Sequence, residues 1–284
     1  MRAVVAGVDL TAMGRRVADR SRIVAESINA DLRLVHVLEP VGEAMIAPSL
    51  ARLMREHQLE QAEKLAAWCQ ERTNVSVDLE VVKGSPSWEL TARAKKADLV
   101  VVGSSTVDAF TAGPVARRVA RKAVTDTLIV RRQPRVPYRR VVAAVDFSDA
   151  SKVTVVRALE LFPDADITVL YSLPSRFDPM LSSAGLFDEE VMASRGLRLE
   201  AARDRMNEFV SEWSGRVKTL VADGPPTETA DEIVRRRGAD LLVVGSRGAT
   251  ATQMVLLGTV AEGLLTTAPC DVLVARSKSS FRRP

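Results

Sequence analysis

The chain has 284 residues, of which 46% are hydrophobic and 27% charged, and its net charge is +4. That length predicts about two domains, each large enough to bury a core of its own. Aromatic residues make up only 4% of the chain, and no uncharged apolar run reaches the ~20 residues that span a bilayer, so the sequence argues against nucleic-acid-binding and membrane proteins and predicts a cytoplasmic location.

The first half of the chain alternates short apolar runs with helical patterns. Its opening run, residues 3–8, is rich in valine and lacks polar alternation, as in a parallel strand that is buried on both faces. Further strands are predicted at residues 32–37, 75–82, 99–102 and 127–130. Helices are predicted at residues 17–28, 50–72, 87–96 and 115–123, with Ser87 as the N-cap of the third.

The second half repeats this order. Strands are predicted at residues 140–145, 166–170, 217–222, 241–244 and 272–275, and helices at residues 150–161, 189–213, 228–237 and 260–265. An aspartate after the first strand (Asp9, Asp146) and a Gly-Ser pair after the fourth strand (beginning at Gly103 and Gly245) recur roughly 140 residues apart. This period is too long for a solenoid and indicates two domains, at residues 1–135 and 138–284.

Strands that alternate with helices predict an α/β protein of two tandem open parallel five-stranded sheets, Rossmann-like, with helices on both faces. Such sheets bind ligands beyond the carboxyl ends of their strands, where the strand order reverses, and the paired aspartates and glycines lie at those ends. The fifth strands, residues 127–130 and 272–275, would leave exposed edges. We therefore predict that they pair with each other.

The second half carries a glycine-rich segment, Gly245-Ser246-Arg247-Gly248, followed by nine residues and Gly258-Thr259. Its glycines permit close approach of the backbone, and Gly258-Thr259 opens a helix whose free N–H groups and dipole favour phosphate oxygens. The segment is neither a Walker A loop nor G-x-G-x-x-G. A structural turn is the alternative interpretation of the glycines, and Thr259 would serve equally as the N-cap of its helix.

The pattern G-x₂-G-x₉-G-(S/T) after a strand, with Asp146 after the first strand and Ala-Pro-Cys-Asp-Val-Leu-Val near the end, resembles the universal stress protein family over essentially the whole chain. The resemblance implies an adenine nucleotide alpha-hydrolase-like fold that binds ATP, or AMP or ADP. Asp146 would contact adenosine and help to hold Mg²⁺ through the phosphates, with capping of the next helix as its alternative role. The remaining implied contacts are adenine at the backbone of Leu170 and Tyr171, phosphates at Gly245, Gly248, Gly258 and Thr259, and weaker contacts at Ser148 and Ser246.

The first half departs from this pattern. After Gly103 the second glycine is missing, the next glycine is Gly113, and Pro114 replaces the serine or threonine. Proline suits the first helical position but offers neither an amide donor nor a hydroxyl. We therefore predict that the first half binds nucleotide weakly or not at all and acts as a structural partner.

The sequence argues for a binding protein rather than an enzyme. Both histidines, His36 and His57, lie in the first half, and no G-x-S-x-G motif occurs. Cys69 and Cys270 stand alone, so they predict free thiols, not a metal site. The favoured function is a stress-response ATP-binding module for regulation or signalling, with at most slow hydrolysis. The alternative is a tandem stress protein without nucleotide that acts through protein contacts or another small ligand, and a homodimer and the protein partner stay open.

Overall fold

The computed structural model of the protein describes residues 2–39, 47–104, 112–134, 136–174, 188–246 and 257–276. The strands are β1 Ala3–Val8, β2 Asp31–Leu38, β3 Val77–Lys83, β4 Leu99–Gly103, β5 Asp126–Val130, β6 Arg140–Val145, β7 Asp166–Leu173, β8 Lys218–Asp223, β9 Leu241–Gly245 and β10 Asp271–Ala275. The helices are α1 Ala12–Ser27, α2 Pro48–Gln70, α3 Pro86–Ala94, α4 Pro114–Lys122, α5 Asp149–Leu161, α6 Asp188–Phe209, α7 Pro226–Arg237 and α8 Thr259–Thr267. The alternation predicted from the sequence is confirmed in both halves.

All ten strands form one continuous sheet with the order β3-β2-β1-β4-β5-β10-β9-β6-β7-β8. The two halves join where β5 meets β10 antiparallel, with Leu128 opposite Leu273, while the other strand pairs are parallel. The predicted pairing of the fifth strands is therefore confirmed, and it merges the two five-stranded sheets. Each half has the order 3-2-1-4-5 in its own numbering, so its strand order reverses between β1 and β4, or between β6 and β9.

Two apolar layers cover the sheet, one on each face. One layer packs α1, α2, α5 and α6 against side chains such as Val4 and Leu128, and the other packs α3, α4, α7 and α8 against neighbours such as Val5 and Ile129. Successive strand residues point to opposite faces, and both faces are covered. This is why the central strands carry apolar runs, such as the buried residues 99–102 of β4.

Prolines set two helix starts differently from the sequence prediction. Ser87 is not the N-cap of α3, because Ser85 holds the cap position and Pro86 begins the helix. Likewise α2 begins at Pro48, earlier than the predicted residue 50. Proline is already fixed at a helical φ and its missing N–H is not needed in the first turn, so it starts a helix ahead of a downstream serine. Helix α6 ends at Phe209, before the predicted end at residue 213, and a separate 3₁₀ turn follows it.

A buried carboxylate from each half ties the two halves together. Asp271, at the start of β10, accepts hydrogen bonds from the backbone N–H groups of Arg131 at 2.8 Å and Arg132 at 3.0 Å. It also accepts one from the Tyr138 hydroxyl at 2.6 Å and lies 3.6 Å from the Arg20 guanidinium. Every one of these partners comes from sequence before β6, so the network crosses the β5–β10 junction.

The pseudo-symmetric carboxylate is Asp126, at the start of β5. It accepts a hydrogen bond from the backbone N–H of Arg276 at 2.8 Å and one from the Arg157 guanidinium at 2.5 Å. Asp126 and Asp271 are each only 1% exposed. Two buried charged networks of the same design thus lie on either side of the junction.

The arginine after each fifth strand reaches the helix of the other half. The Arg131 guanidinium donates to the carbonyls of Ala268 at 2.8 Å and Leu265 at 2.7 Å, at the C-terminal end of α8. The Arg276 guanidinium donates to the carbonyls of Ala120 and Arg121 at the corresponding end of α4. A cation at this end satisfies the last carbonyls and complements the helix dipole, so each half fixes a helix of the other.

The two cysteines are buried free thiols, as the sequence predicts. Burial raises the pKa of Cys69 to about 12, and burial together with the neighbouring Asp271 carboxylate raises the pKa of Cys270 still further. We expect neither thiol to be alkylated by iodoacetamide at pH 8 in the native protein, because the reactive thiolate is suppressed and shielded. Mass spectrometry should find both alkylated only after unfolding in urea, and modification of the native chain would contradict the packing.

Among the residues that the structure describes, no helix is both long and apolar enough to cross a membrane.

Candidate functional site

The structure brings several of the predicted site residues to one edge of the sheet. Strands β6 and β9 are neighbours, with Ala144 opposite Val244, and β7 places Tyr171 opposite Val145. Asp146 follows β6 directly and Gly245 ends β9. These groups therefore meet at the carboxyl edge of the second half, at the point where the strand order reverses.

The Asp146 carboxylate shapes the turn that leads into α5. Its Oδ1 accepts hydrogen bonds from the backbone N–H of Ser148 at 3.1 Å and from the Ser148 hydroxyl at 2.5 Å. The N-cap is Ser148, whose hydroxyl accepts from the Ser151 N–H at 3.2 Å. The alternative role of Asp146 as the cap is therefore wrong. Phe147 between them has a left-handed φ of +62°.

The first half repeats this turn with different residues. The Asp9 carboxylate accepts from the Thr11 N–H at 3.1 Å and from the Thr11 hydroxyl at 2.6 Å, and Thr11 caps α1. Leu10 takes the left-handed position of Phe147, with a φ of +60°. The aspartate turn is thus retained in both halves, including the half whose glycine segment is incomplete.

Leu170 and Tyr171 lie side by side in β7 but face opposite layers of the core. Leu170 is 1% exposed and packs in the layer of α7 and α8. The Tyr171 ring stacks on Phe147, with centroids 4.2 Å apart and an interplanar angle of 29°, and Phe147 in turn contacts Phe209 at 5.5 Å. Both side chains are therefore held by packing, and contact of the Leu170 and Tyr171 backbone with adenine stays a prediction.

This aromatic stack was missed by sequence reasoning, although its signal was present. Phe147 lies just beyond β6, and Tyr171 in β7 is opposite Val145 at the end of β6. The first half has Leu10 and His36 at the same places. The guanidinium of Arg205 lies 4.9 Å from the Phe147 ring centroid. The stack fixes the residue next to Asp146 and so restricts the aspartate turn.

The base of the glycine segment is closed by backbone hydrogen bonds. The Gly258 N–H donates to the Ser246 carbonyl at 3.0 Å, and the Ser246 N–H donates to the Ala275 carbonyl at 3.0 Å. Ser246 is only 6% exposed. The Gly258 amide is therefore engaged within the chain, where it anchors the segment, and contact between Gly258 and phosphate stays a prediction.

Helix α8 begins directly after this anchor. Gly258 is the N-cap, with φ −64° and ψ 152°, and Thr259 is the first helical residue. The N-cap role considered for Thr259 is therefore wrong, and Thr259 is exposed. The first hydrogen bond of the helix runs from the Glu262 N–H to the Gly258 carbonyl, so helix geometry leaves the N–H groups of Thr259, Val260 and Ala261 without an intrahelical acceptor.

Gly248 lies outside the residues that the structure describes, as do the other residues from 247 to 256. Its contribution to the site stays a prediction. Within the described ranges no group of three or more histidine, cysteine and acidic side chains is placed to hold a metal ion.

The carboxyl edge of the first half holds a cavity of about 510 Å³. Asp9, His36, Gly103, Ser104 and Gly113 contribute to its lining. The imidazole of His36 is 6% exposed and its Nδ1 lies 2.9 Å from the Val8 carbonyl, as expected for a core histidine, but its Nε2 has no hydrogen-bond partner. The first half therefore has a formed cavity despite its incomplete glycine segment.

Three comparisons relate this chain to known proteins. A sequence profile of the universal stress protein family matches residues 1–131 and again residues 137–276. A universal stress protein of Methanocaldococcus jannaschii is 27% identical over 143 residues, which are 49% of this chain and 82% of the relative.

A solved structure gives the same result for the fold. The crystal structure of a universal stress protein from Archaeoglobus fulgidus matches with a TM-score of 0.68 at 15% identity, over 96% of this chain and 98% of that one. Another solved universal stress protein, in complex with cAMP, is 27% identical over 45% of this chain and 95% of its own, with a TM-score of 0.36.

Proposed function

This chain belongs to the universal stress protein family, and from that premise we propose that its second half binds an adenine nucleotide and acts as a regulatory or signalling module. The two domains that we propose span residues 1–135 and 138–284. One observation carries the proposal: the start of α8 and the Asp146 turn share the carboxyl edge at which β6 and β9 meet. Helix N–H groups without an intrahelical acceptor and a carboxylate thus lie at a single switch point.

The start of α8 suits the phosphate end of such a ligand. Three consecutive N–H groups, those of Thr259, Val260 and Ala261, are left over by the helix, and the dipole adds positive potential at the same end. The hydrogen bond from Gly258 to Ser246 holds this end against β9, and Arg131 holds the other end of the helix. Because these N–H donors are preorganised, they lose little conformational entropy when a phosphate binds.

The Asp146 turn suits the nucleoside end. A carboxylate accepts hydrogen bonds from hydroxyl or amino groups of the ligand, and the bond to Ser148 orients it. The backbone next to Tyr171 lies beside it along the edge. When Mg²⁺ accompanies the nucleotide it neutralises phosphate charge, and Asp146 is the carboxylate at this edge that would help to hold it.

A regulatory role fits this half better than catalysis. Both histidines of the chain lie in the first half, and the Cys270 thiol, buried behind α8, has a raised pKa that keeps it protonated. A phosphoryl or acyl transfer needs a positioned base or nucleophile. Slow ATP hydrolysis would therefore be incidental to binding.

The direct test is to identify the small molecule that purified protein releases when it is denatured. We expect mass spectrometry to find ATP, ADP or AMP at about one per chain, and calorimetric titration of stripped protein with Mg·ATP to show one site. A released pool without nucleotide, together with no heat from ATP up to millimolar concentration, would refute the proposal. Two equivalent ATP sites would instead refute the predicted difference between the halves.

A further inference from the structure

The cavity in the first half lies between the two helical layers, at the carboxyl ends of β1, β2 and β4. Met13 and Val17 line it from α1, Leu90 lines it from α3, and Pro114 and Ala116 line it from α4. Its volume of about 510 Å³ falls within the roughly 300–1,000 Å³ that is typical of small-molecule sites.

Two residues that line the cavity each have a buried polar atom without a hydrogen-bond partner. The Ser104 hydroxyl has no hydrogen bond although the residue is only 7% exposed. The His36 Nδ1 donates to the Val8 carbonyl, so in the neutral imidazole the unpartnered Nε2 is an acceptor. Buried polar groups are nearly always satisfied, and two unsatisfied groups around one cavity indicate a ligand that supplies hydrogen bonds.

The charges around the cavity disfavour phosphate. Asp9 and Glu39 are among the described residues that line it, and these residues include neither lysine nor arginine. Pro114 removes the first amide donor of α4, where the second half has Thr259. Asp9 has a counterpart in Asp146 of the second half, so the difference for a triphosphate lies in the Glu39 carboxylate, which would repel it, and in the reduced set of donors.

The nucleoside end of the site, by contrast, is retained. The Asp9–Thr11 turn has the same hydrogen bonds as the Asp146–Ser148 turn, within 0.1 Å for each distance. His36 occupies the register position of Tyr171, so a hydrogen-bonding ring replaces an aromatic ring that is used for stacking. The first half has therefore kept the part of the edge assigned above to adenosine and has lost the part assigned to phosphate.

We propose that the cavity of the first half binds an uncharged purine nucleoside, with the His36 Nε2 and the Ser104 hydroxyl bonding its amino and hydroxyl groups. The two halves then have opposite preferences, because added phosphates weaken binding in the first half and strengthen it in the second. The identification of the nucleoside end rests on the proposed function of the second half, while the cavity, its unpartnered atoms and its charge do not.

The experiment is calorimetric titration of the full chain with adenosine, AMP and ATP, for the native sequence and for three variants. Ser104→Ala removes an unpaired hydroxyl, and His36→Asn keeps an N–H for the Val8 carbonyl but removes the Nε2 acceptor. Each should lower adenosine affinity about five- to tenfold and leave ATP affinity unchanged. Thr259→Pro, in the second half, should lower ATP affinity and leave adenosine affinity unchanged.

Thermal unfolding of each variant separates lost binding from lost folding, and Ser104→Ala is expected to unfold at the native temperature because its hydroxyl has no partner. Absence of adenosine binding, adenosine affinity that neither first-half variant changes, or ATP binding that depends on His36 would overturn the inference. If ATP affinity is low and unchanged by Thr259→Pro while adenosine binding still depends on His36 and Ser104, the proposed function of the second half fails and the cavity assignment stands.

Discussion

Replacing Thr259 with proline should lower the affinity of the second half for ATP by about ten- to a hundredfold while the fold persists. The substitution removes one N–H and one hydroxyl from the start of α8, and a hydrogen bond from an amide to a charged phosphate is worth about 1.5–3 kcal/mol. The affinity would be measured by calorimetry on the full chain with Mg·ATP.

The structure indicates that proline is tolerated at this position. Thr259 is the first residue of α8, where the N–H makes no intrahelical bond. Gly258 before it has φ −64° and ψ 152°, which is the extended conformation that a residue before proline prefers. The first half provides the natural example, since Gly113 with φ −67° and ψ 173° precedes Pro114 at the start of α4.

The matched control is Thr259→Ala, which removes the hydroxyl and keeps the amide. Its ATP affinity should fall less than that of the proline variant, because one of the two donors to the phosphates is kept. Equal losses for the two variants would show that the hydroxyl, not the backbone, carries the contact. Native ATP affinity in the proline variant would show that α8 does not bind the phosphates at all.

The architecture could be predicted because it depends on the local pattern of apolar residues and on the need to cover the exposed edge strands of the two sheets. Apolar runs such as residues 99–102 have only one stable environment, a strand covered on both faces. The pairing of β5 with β10 followed from the cost of leaving two apolar edge strands exposed. Helix starts were less certain, since Ser85, Pro86 and Ser87 offer competing caps within three residues and only the backbone geometry decides between them.

The details of the site depend on contacts between distant segments, which a single sequence does not reveal. The Gly258 amide is engaged because β9 and α8 bring the Ser246 carbonyl to 3.0 Å, and no spacing rule predicts this. The cavity in the first half exists because α1, α3 and α4 leave space above β1 and β4. The sequence correctly marks Pro114 as a lost donor, but it does not show that a formed cavity with an unpartnered His36 remains beside it.

Replacing Asp271 with alanine should destabilise the protein by about 3–5 kcal/mol, the largest effect that we expect from a single substitution. The carboxylate is 1% exposed and is the common acceptor for two backbone N–H groups and the Tyr138 hydroxyl. Its removal leaves these donors unsatisfied inside the protein. It also leaves the Arg20 guanidinium, 5% exposed and 3.9 Å from the Tyr138 ring centroid, without its carboxylate.

Urea unfolding followed by circular dichroism would measure this effect, with two controls. Tyr138→Phe removes one donor and keeps the charge pair, so its loss should be only about 1–2 kcal/mol. Glu56→Gln breaks an ion pair with Arg52 in which both side chains are more than half exposed, and should change stability by less than about 0.5 kcal/mol. Because Asp271 joins β10 to the connector between the halves, a loss below about 1 kcal/mol would mean that the Asp271 network contributes little to the stability of the β5–β10 junction.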